Sequence, residues 1–137
     1  MVIDTNILVS ALLREGSPPA QILIGWRQAR FDLLTSSIQL DELTRVSRYP
    51  RLRERLSPPL AGHLVNQLRR LAVVVEKLPR LEVCGDPDND HLLVLAIAGR
   101  ADFLVTGDKH HLLAMGRYAG TPIVTVRDFL VTAGRSA

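Results

Sequence analysis

The chain has 137 residues, 47% of them hydrophobic, a formal net charge of +3 and a single cysteine, Cys84. That length suits one domain with one substantial core, and a mean hydropathy of +0.13 excludes a disordered chain. One cysteine excludes an intrachain disulfide, and the longest apolar run, Leu92 to Ala98, is far short of the roughly 20 residues that a membrane-spanning helix needs.

In chain order, a β-type run over 2–4 leads straight into polar Thr5 and Asn6. A helix is expected over 7–13, a turn over 15–19 and a second helix over 20–30. A second strand covers 31–35. Ser36 and Ser37 suit the cap of a helix over 38–48, which stops before Pro50. Ser57-Pro58-Pro59 opens a long helix to Ala72, because serine caps and proline suits the first turn. The β-branched run over 73–76 reads as strand three. Asp86-Pro87 starts a helix that ends at Gly99, a natural C-cap. Strand four is expected over 103–106, a short helix over 110–115, strand five over 123–126 and a closing helix over 127–133.

Strands alternating with helices, and too uniformly apolar for a half-wetted sheet, predict a parallel sheet covered on both faces. The expected fold is a three-layer α/β/α sandwich with a mainly parallel, five-stranded sheet, forming a single domain over 1–137. In such sheets ligands bind beyond the carboxyl ends of the strands, where the connectivity reverses. No basic n-region precedes Asp4, so no secretory signal is expected and the cytoplasm is the expected location.

Four acidic residues sit at the edges of apolar segments: Asp4, Glu42, Asp90 and Asp108. Gathering carboxylates at the ends of buried strands is costly unless a divalent cation neutralises them. Glu42 shares a helical stripe with Ile38 and Val46, whereas Asp41 faces Arg45 at i+4, the arrangement of an exposed helix pair. Asp90 shares its stripe with Leu93, Val94 and Ile97 and is read as inward; Asp86 fits an N-cap and Asp88 the first turn of the same helix. Each acid alone also suits a cap or a turn, but four matching positions in one small domain disfavour that reading jointly.

Val-Ile-Asp-Thr-Asn-Ile-Leu-Val-Ser-Ala-Leu at the start resembles the opening of PIN-domain nucleases. Leu-Asp-Glu-Leu after strand two, Asp90 with Leu-Leu-Val-Leu-Ala-Ile-Ala, and Ala-Asp-Phe-Leu-Val-Thr-Gly-Asp-Lys complete the likeness over essentially the whole chain. The nearest subgroup is the bacterial VapC-type toxins of toxin–antitoxin pairs. The resemblance implies an acidic metal site of Asp4, Glu42, Asp90 and Asp108, supported by Asn6 and Thr106. It implies an Mg²⁺- or Mn²⁺-dependent endoribonuclease acting on structured RNA such as tRNA or rRNA, a homodimer, and inhibition by a small antitoxin protein. His110 stands where the family often carries a further acid, so no fifth carboxylate is expected there.

Hard oxygen ligands select Mg²⁺ or Mn²⁺. Hydrolysis at such a site needs no 2′-hydroxyl nucleophile and leaves 5′-phosphate and 3′-hydroxyl ends. Fifteen of the 17 cationic residues are arginine, and Arg45, Arg48, Arg51, Arg53 and Arg55 crowd around Tyr49. Arginine suits phosphate, although a solvated face or a docking surface for an acidic protein fits the same pattern. The four histidines and Cys84 are assigned surface, core or structural roles, and Trp26 fits the core or a dimer contact equally. Two competing classes stay open: a receiver-like Mg²⁺-binding signalling module, which lacks an aspartate at the end of strand three, and a catalytically silent PIN-like scaffold that only binds RNA or protein.

Overall fold

The computed structural model describes residues 1–79 and 82–136, without the side chains of 134–136. The elements are β1 (Val2–Ile3), α1 (Thr5–Leu13), α2 (Pro18–Arg27), β2 (Leu34–Thr35), α3 (Ser37–Ser47), α4 (Pro50–Arg53), α5 (Pro58–Leu71) and β3 (Val73–Val74). They continue with α6 (Pro87–Ala98), β4 (Leu104–Val105), α7 (Leu112–Met115), β5 (Arg117–Tyr118), β6 (Thr121–Val124) and α8 (Val126–Ser136).

The strands form one sheet in the order β3-β2-β1-β4-β6-β5. The five expected strands are all present and all parallel, with Val2 opposite both Leu34 and Leu104 and Val105 opposite Val124. The sheet has a sixth strand that the sequence did not suggest. β5 runs antiparallel to β6, with Tyr118 paired to Thr121 across the two-residue loop Ala119-Gly120. Both loop residues have positive φ, 48° and 88°, as a tight hairpin turn between right-twisted strands requires.

Alternation along the strands divides the core into two layers. Ile3, Leu33 and Val105 face the helices α1, α2, α3, α5 and α8, where Leu8, Leu43 and Leu64 are buried. Val2, Leu34, Leu104 and Ile123 face the opposite side, against Leu92, Leu93, Leu95 and Leu112 of α6 and α7. Trp26 is buried in the first layer, which settles its packing role. This is the expected three-layer α/β/α sandwich. From β1 the chain crosses to β2 on one side, while β4 lies on the other, so connectivity reverses at the β1–β4 seam. Asp4 and Thr106 follow directly after those two strands.

Local capping sets the helix starts. Asp4 accepts from the Asn6 N–H at 3.2 Å and so starts α1 at Thr5, two residues earlier than expected. Ser36 caps α3 through the Gln39 N–H at 3.1 Å. Pro50, read from sequence only as a stop, is also the first residue of the short helix α4, where its missing N–H costs nothing.

Candidate active site

Asp4 is 7% exposed and both of its oxygens are engaged. Oδ1 accepts from the Asn6 N–H, and Oδ2 accepts from the Thr106 hydroxyl at 2.7 Å. Thr106, wholly buried, also accepts from the Asp108 N–H at 3.0 Å. One hydroxyl thus couples the ends of β1 and β4. Burial pushes the Asp4 carboxyl above its ordinary range; the Thr106 and Asn6 hydrogen bonds oppose this, and the charges of Glu42 and Asp108 add to it. Three carboxylates distant in sequence therefore share one electrostatic field.

Glu42 reaches this region from α3. Its Oε1 accepts from the Thr5 hydroxyl and lies 3.3 Å from His91 Nε2. Burial works against its charged form, but the His91 and Thr5 hydrogen bonds and the nearby charges of His91 and Arg45 outweigh it and hold the carboxyl below its usual range. Arg45 accordingly sides with Glu42, and the expected Asp41–Arg45 ion pair does not form. His91 was read as an ordinary surface or core histidine. It is instead a direct neighbour of the site, and its Nδ1 is buried without a hydrogen-bond partner. The available signal was its position one turn after Asp88 on the same face of α6.

Asp108 spans the turn after β4. Its Oδ1 accepts from the N–H groups of His110 and His111 at 3.2 and 3.3 Å, and its Oδ2 from Asn89 Nδ2 at 2.9 Å. Burial opposes ionisation there, yet these donors, with the Leu112 N–H, hold the carboxyl below its ordinary range.

Asp90 differs from what its stripe suggests. It is buried as expected, but its Oδ1 accepts from the Cys84 N–H at 2.8 Å and lies 3.1 Å from Cys84 Sγ. The helical period explains this. Asp88 and Asn89 lie at the amino-terminal tip of α6 and line the cleft, whereas Asp90 points to the far side, toward the loop that holds Val83 and Cys84. Facing the core and facing the cleft are different directions on this helix.

The cleft has a volume of about 610 Å³. Its floor is Asp4, Thr5 and Glu42; Asn6 and Asp88 flank it, and Arg45, Tyr49, Arg51 and Arg55 form its rim. Asp108 does not line it directly and meets its edge through Asn89. A larger groove of about 1000 Å³ lies at the other ends of the strands, lined by Met1, Phe31, Phe103 and Phe129, away from these carboxylates.

The donor set is all carboxylate oxygen, which suits a hard divalent cation, and the upward push on Asp4 is the strain such an ion relieves. As placed, no three His, Cys, Asp or Glu side chains among the described residues stand close enough together to hold a metal ion. Thr5 and His91 engage Glu42, and backbone amides engage Asp108. The chemistry of the donors fits an ion, and each of these carboxylates is engaged by the chain's own donors.

A carboxylate pair at the switch point of a parallel sheet, under an arginine rim, defines a candidate phosphate-handling site of the α/β class. Residues 1–110 match the family model described as PIN domain, and the chain belongs to that family. PIN domains are in general nucleases that act on nucleic acid and use divalent metal ions. The chain is also similar to the uncharacterized protein MJ1680 of Methanocaldococcus jannaschii, with 27% identity over 110 residues, covering 80% of this chain and 70% of that protein. Among the described residues no helix is long and apolar enough to cross a membrane.

Proposed function

We propose that this PIN domain is an Mg²⁺- or Mn²⁺-dependent endoribonuclease that hydrolyses RNA phosphodiesters in the acidic cleft. The observation that carries the reading is Asp4: a buried carboxylate at the sheet's switch point, raised in pKa, and repelled by Glu42 and Asp108 beneath an arginine rim. Asp4, Glu42 and Asp108 would hold the cation, with Asp88 contributing from the tip of α6. Asp90 keeps the position that the family resemblance assigns it but acts from behind, fixing the 83–86 loop through Cys84.

When bound, the cation supplies Lewis-acid activation of water and stabilises the leaving 3′ oxygen. The chain's own groups do the rest. Thr106 and Asn6 orient Asp4, and Thr5 and His91 orient Glu42. Arg45, Arg51 and Arg55 bind the backbone phosphates and place the scissile bond over the floor.

Incubating the purified protein with structured RNA in Mn²⁺ tests this. Cleavage is expected with 5′-phosphate and 3′-hydroxyl ends, absent in EDTA and absent from Asp4→Asn. Cyclic phosphate ends, or undiminished cleavage by Asp4→Asn, contradict it. One observation favours a second reading, a PIN-like scaffold that binds RNA without cutting it: Asp90 is turned away and, among the described residues, no three ligands converge. Metal-dependent binding with no cleavage under any divalent ion would establish that reading instead.

The family resemblance further supports a role as the toxin of a toxin–antitoxin pair, acting on tRNA or rRNA as a homodimer and neutralised by a cognate antitoxin. Induced expression should arrest growth, and co-expression of a small neighbouring protein with a DNA-binding half should rescue it. Induction of the wild-type protein without growth arrest rejects the toxin role and leaves the nuclease reading standing.

A further inference from the structure

The arginines between positions 45 and 55 divide into two sets. Arg45, Arg51 and Arg55 belong to the acidic cleft. Arg48 and Arg53 instead line a separate pocket of about 270 Å³, with Thr44, Ser47, Ala61 and Gly62. The helical period sets this division. On α3, positions 42, 45 and 46 fall on one face, and 44, 47 and the C-cap Arg48 on the opposite one. The two pockets therefore lie back to back across the α3–α4 corner, about one helix diameter apart, roughly 10–12 Å.

The second pocket offers an anion two arginines and few other donors. Among the described residues, neither Arg48 nor Arg53 makes an ion pair or a side-chain hydrogen bond, so both guanidinium groups are uncommitted. The hydroxyls beside them are already used: Thr44 donates to the Leu40 carbonyl at 2.9 Å and Ser47 to the Thr44 carbonyl at 2.8 Å. Finally, α5 borders the pocket with one flank, through Pro58, Ala61, Gly62 and Val65, and Pro58, like Pro59, has no N–H to offer. Recognition falls to the arginine pair, whose planar forks match phosphate oxygens. The space is real, since a Cβ added at Gly62 would meet nothing within 4 Å.

We propose that the Arg48–Arg53 pocket is a second phosphate subsite, which takes a backbone phosphodiester of the substrate RNA a few nucleotides from the bond held in the acidic cleft. The strand turns over the α3–α4 corner, where Tyr49, 42% exposed, offers a ring on which a base can stack between the two arginine sets. This rests on the nuclease reading for its substrate, but predicts a length dependence that the cleft alone does not. RNA long enough to span the corner gains affinity from the second pocket; RNA confined to the cleft does not.

The test uses fluorescein-labelled single-stranded RNAs of about 12 and about 4 nucleotides. Binding is measured by anisotropy in EDTA at several salt concentrations, and cleavage of the same RNAs in Mn²⁺. For Arg48→Ala/Arg53→Ala, affinity for the long RNA should fall roughly tenfold, with its salt slope reduced by about 0.7, the value for one phosphate contact on a single strand. Binding and cleavage of the short RNA should be unchanged. Gly62→Glu removes nothing and should give the same loss by placing a carboxylate in the pocket, which guards against a folding artefact.

Unchanged affinity and slope for the long RNA in both variants overturn the subsite, as does an equal loss for both lengths. A parent protein that binds neither RNA also overturns it. A parent that binds the long RNA with the predicted dependence yet cuts nothing leaves the subsite standing and rejects only the nuclease reading.

Discussion

The Thr106 hydroxyl donates to Asp4 at 2.7 Å across the seam between β1 and β4, and the same oxygen accepts the Asp108 N–H. It fixes a carboxylate and the turn that carries a second one. Thr106→Val keeps the shape but leaves a buried carboxylate oxygen and a backbone N–H without partners. It should cost about 1–3 kcal/mol and lower cleavage, while Thr106→Ser recovers most of both. Chemical denaturation and initial rates on the three proteins check this; a fully active Thr106→Val removes Thr106 from the account.

Asp4 has its proton affinity raised by burial first and by its acidic neighbours second. The folded protein therefore binds that proton more tightly than the unfolded chain. Stability from this group falls as pH rises from the ordinary value of 3.8 through the raised folded pKa. Asp4→Asn loses the charge, and its one carbonyl oxygen can serve Thr106 or the Asn6 N–H but not both. The repulsion is therefore read from pH dependence in EDTA: wild type should lose stability relative to Asp4→Asn as pH rises from 3.8 through the raised folded pKa. A stability difference between the two proteins that does not change with pH contradicts the repulsion.

Asp88 and Asp90 should separate cleanly. Asp88 is exposed at the cleft, so Asp88→Asn is expected to reduce cleavage with no change in stability. Asp90→Ala strips the Cys84 amide and thiol of their acceptor and should cost about 1–3 kcal/mol. The Asp90 carboxyl is held down by the Cys84 and Val83 hydrogen bonds against its burial, so its contribution is complete above the ordinary value of 3.8 and is lost as pH falls through the lower folded pKa. Acid unfolding of Asp90→Asn should be correspondingly flatter below that value. A stable Asp90→Ala and an unstable Asp88→Asn would reverse the two assignments.

The presence and parallel direction of the five strands are legible because their apolar runs are short and separated by capped helices, whereas their order in the sheet is not. Ser36 and Asp86 announce their helices by residue type alone. The β5–β6 hairpin is not legible because Ala119 occupies a left-handed position where Asn or Asp would signal the turn. The proximity of Asp4, Glu42 and Asp108 was readable from their places at strand ends and on a stripe. The direction of Asp90 was not, because periodicity tells inside from outside but not which of two inner neighbours a side chain meets. The role of His91 beside Glu42 depends on α3 and α6 approaching each other, a tertiary contact that its spacing from Asp88 on α6 does not by itself specify.

Cleavage as proposed depends on Asp4, Glu42 and Asp108 sharing one cation. Calorimetric titration of Mn²⁺ into wild type, Asp4→Asn and Glu42→Gln, with melting curves at about 100 times the wild-type Kd, measures it directly. Wild type should bind and gain about 2.7 kcal/mol of stability, and both variants should lose most of the binding and the gain. Wild type that takes up no Mn²⁺, or variants that bind it equally well, would contradict the site.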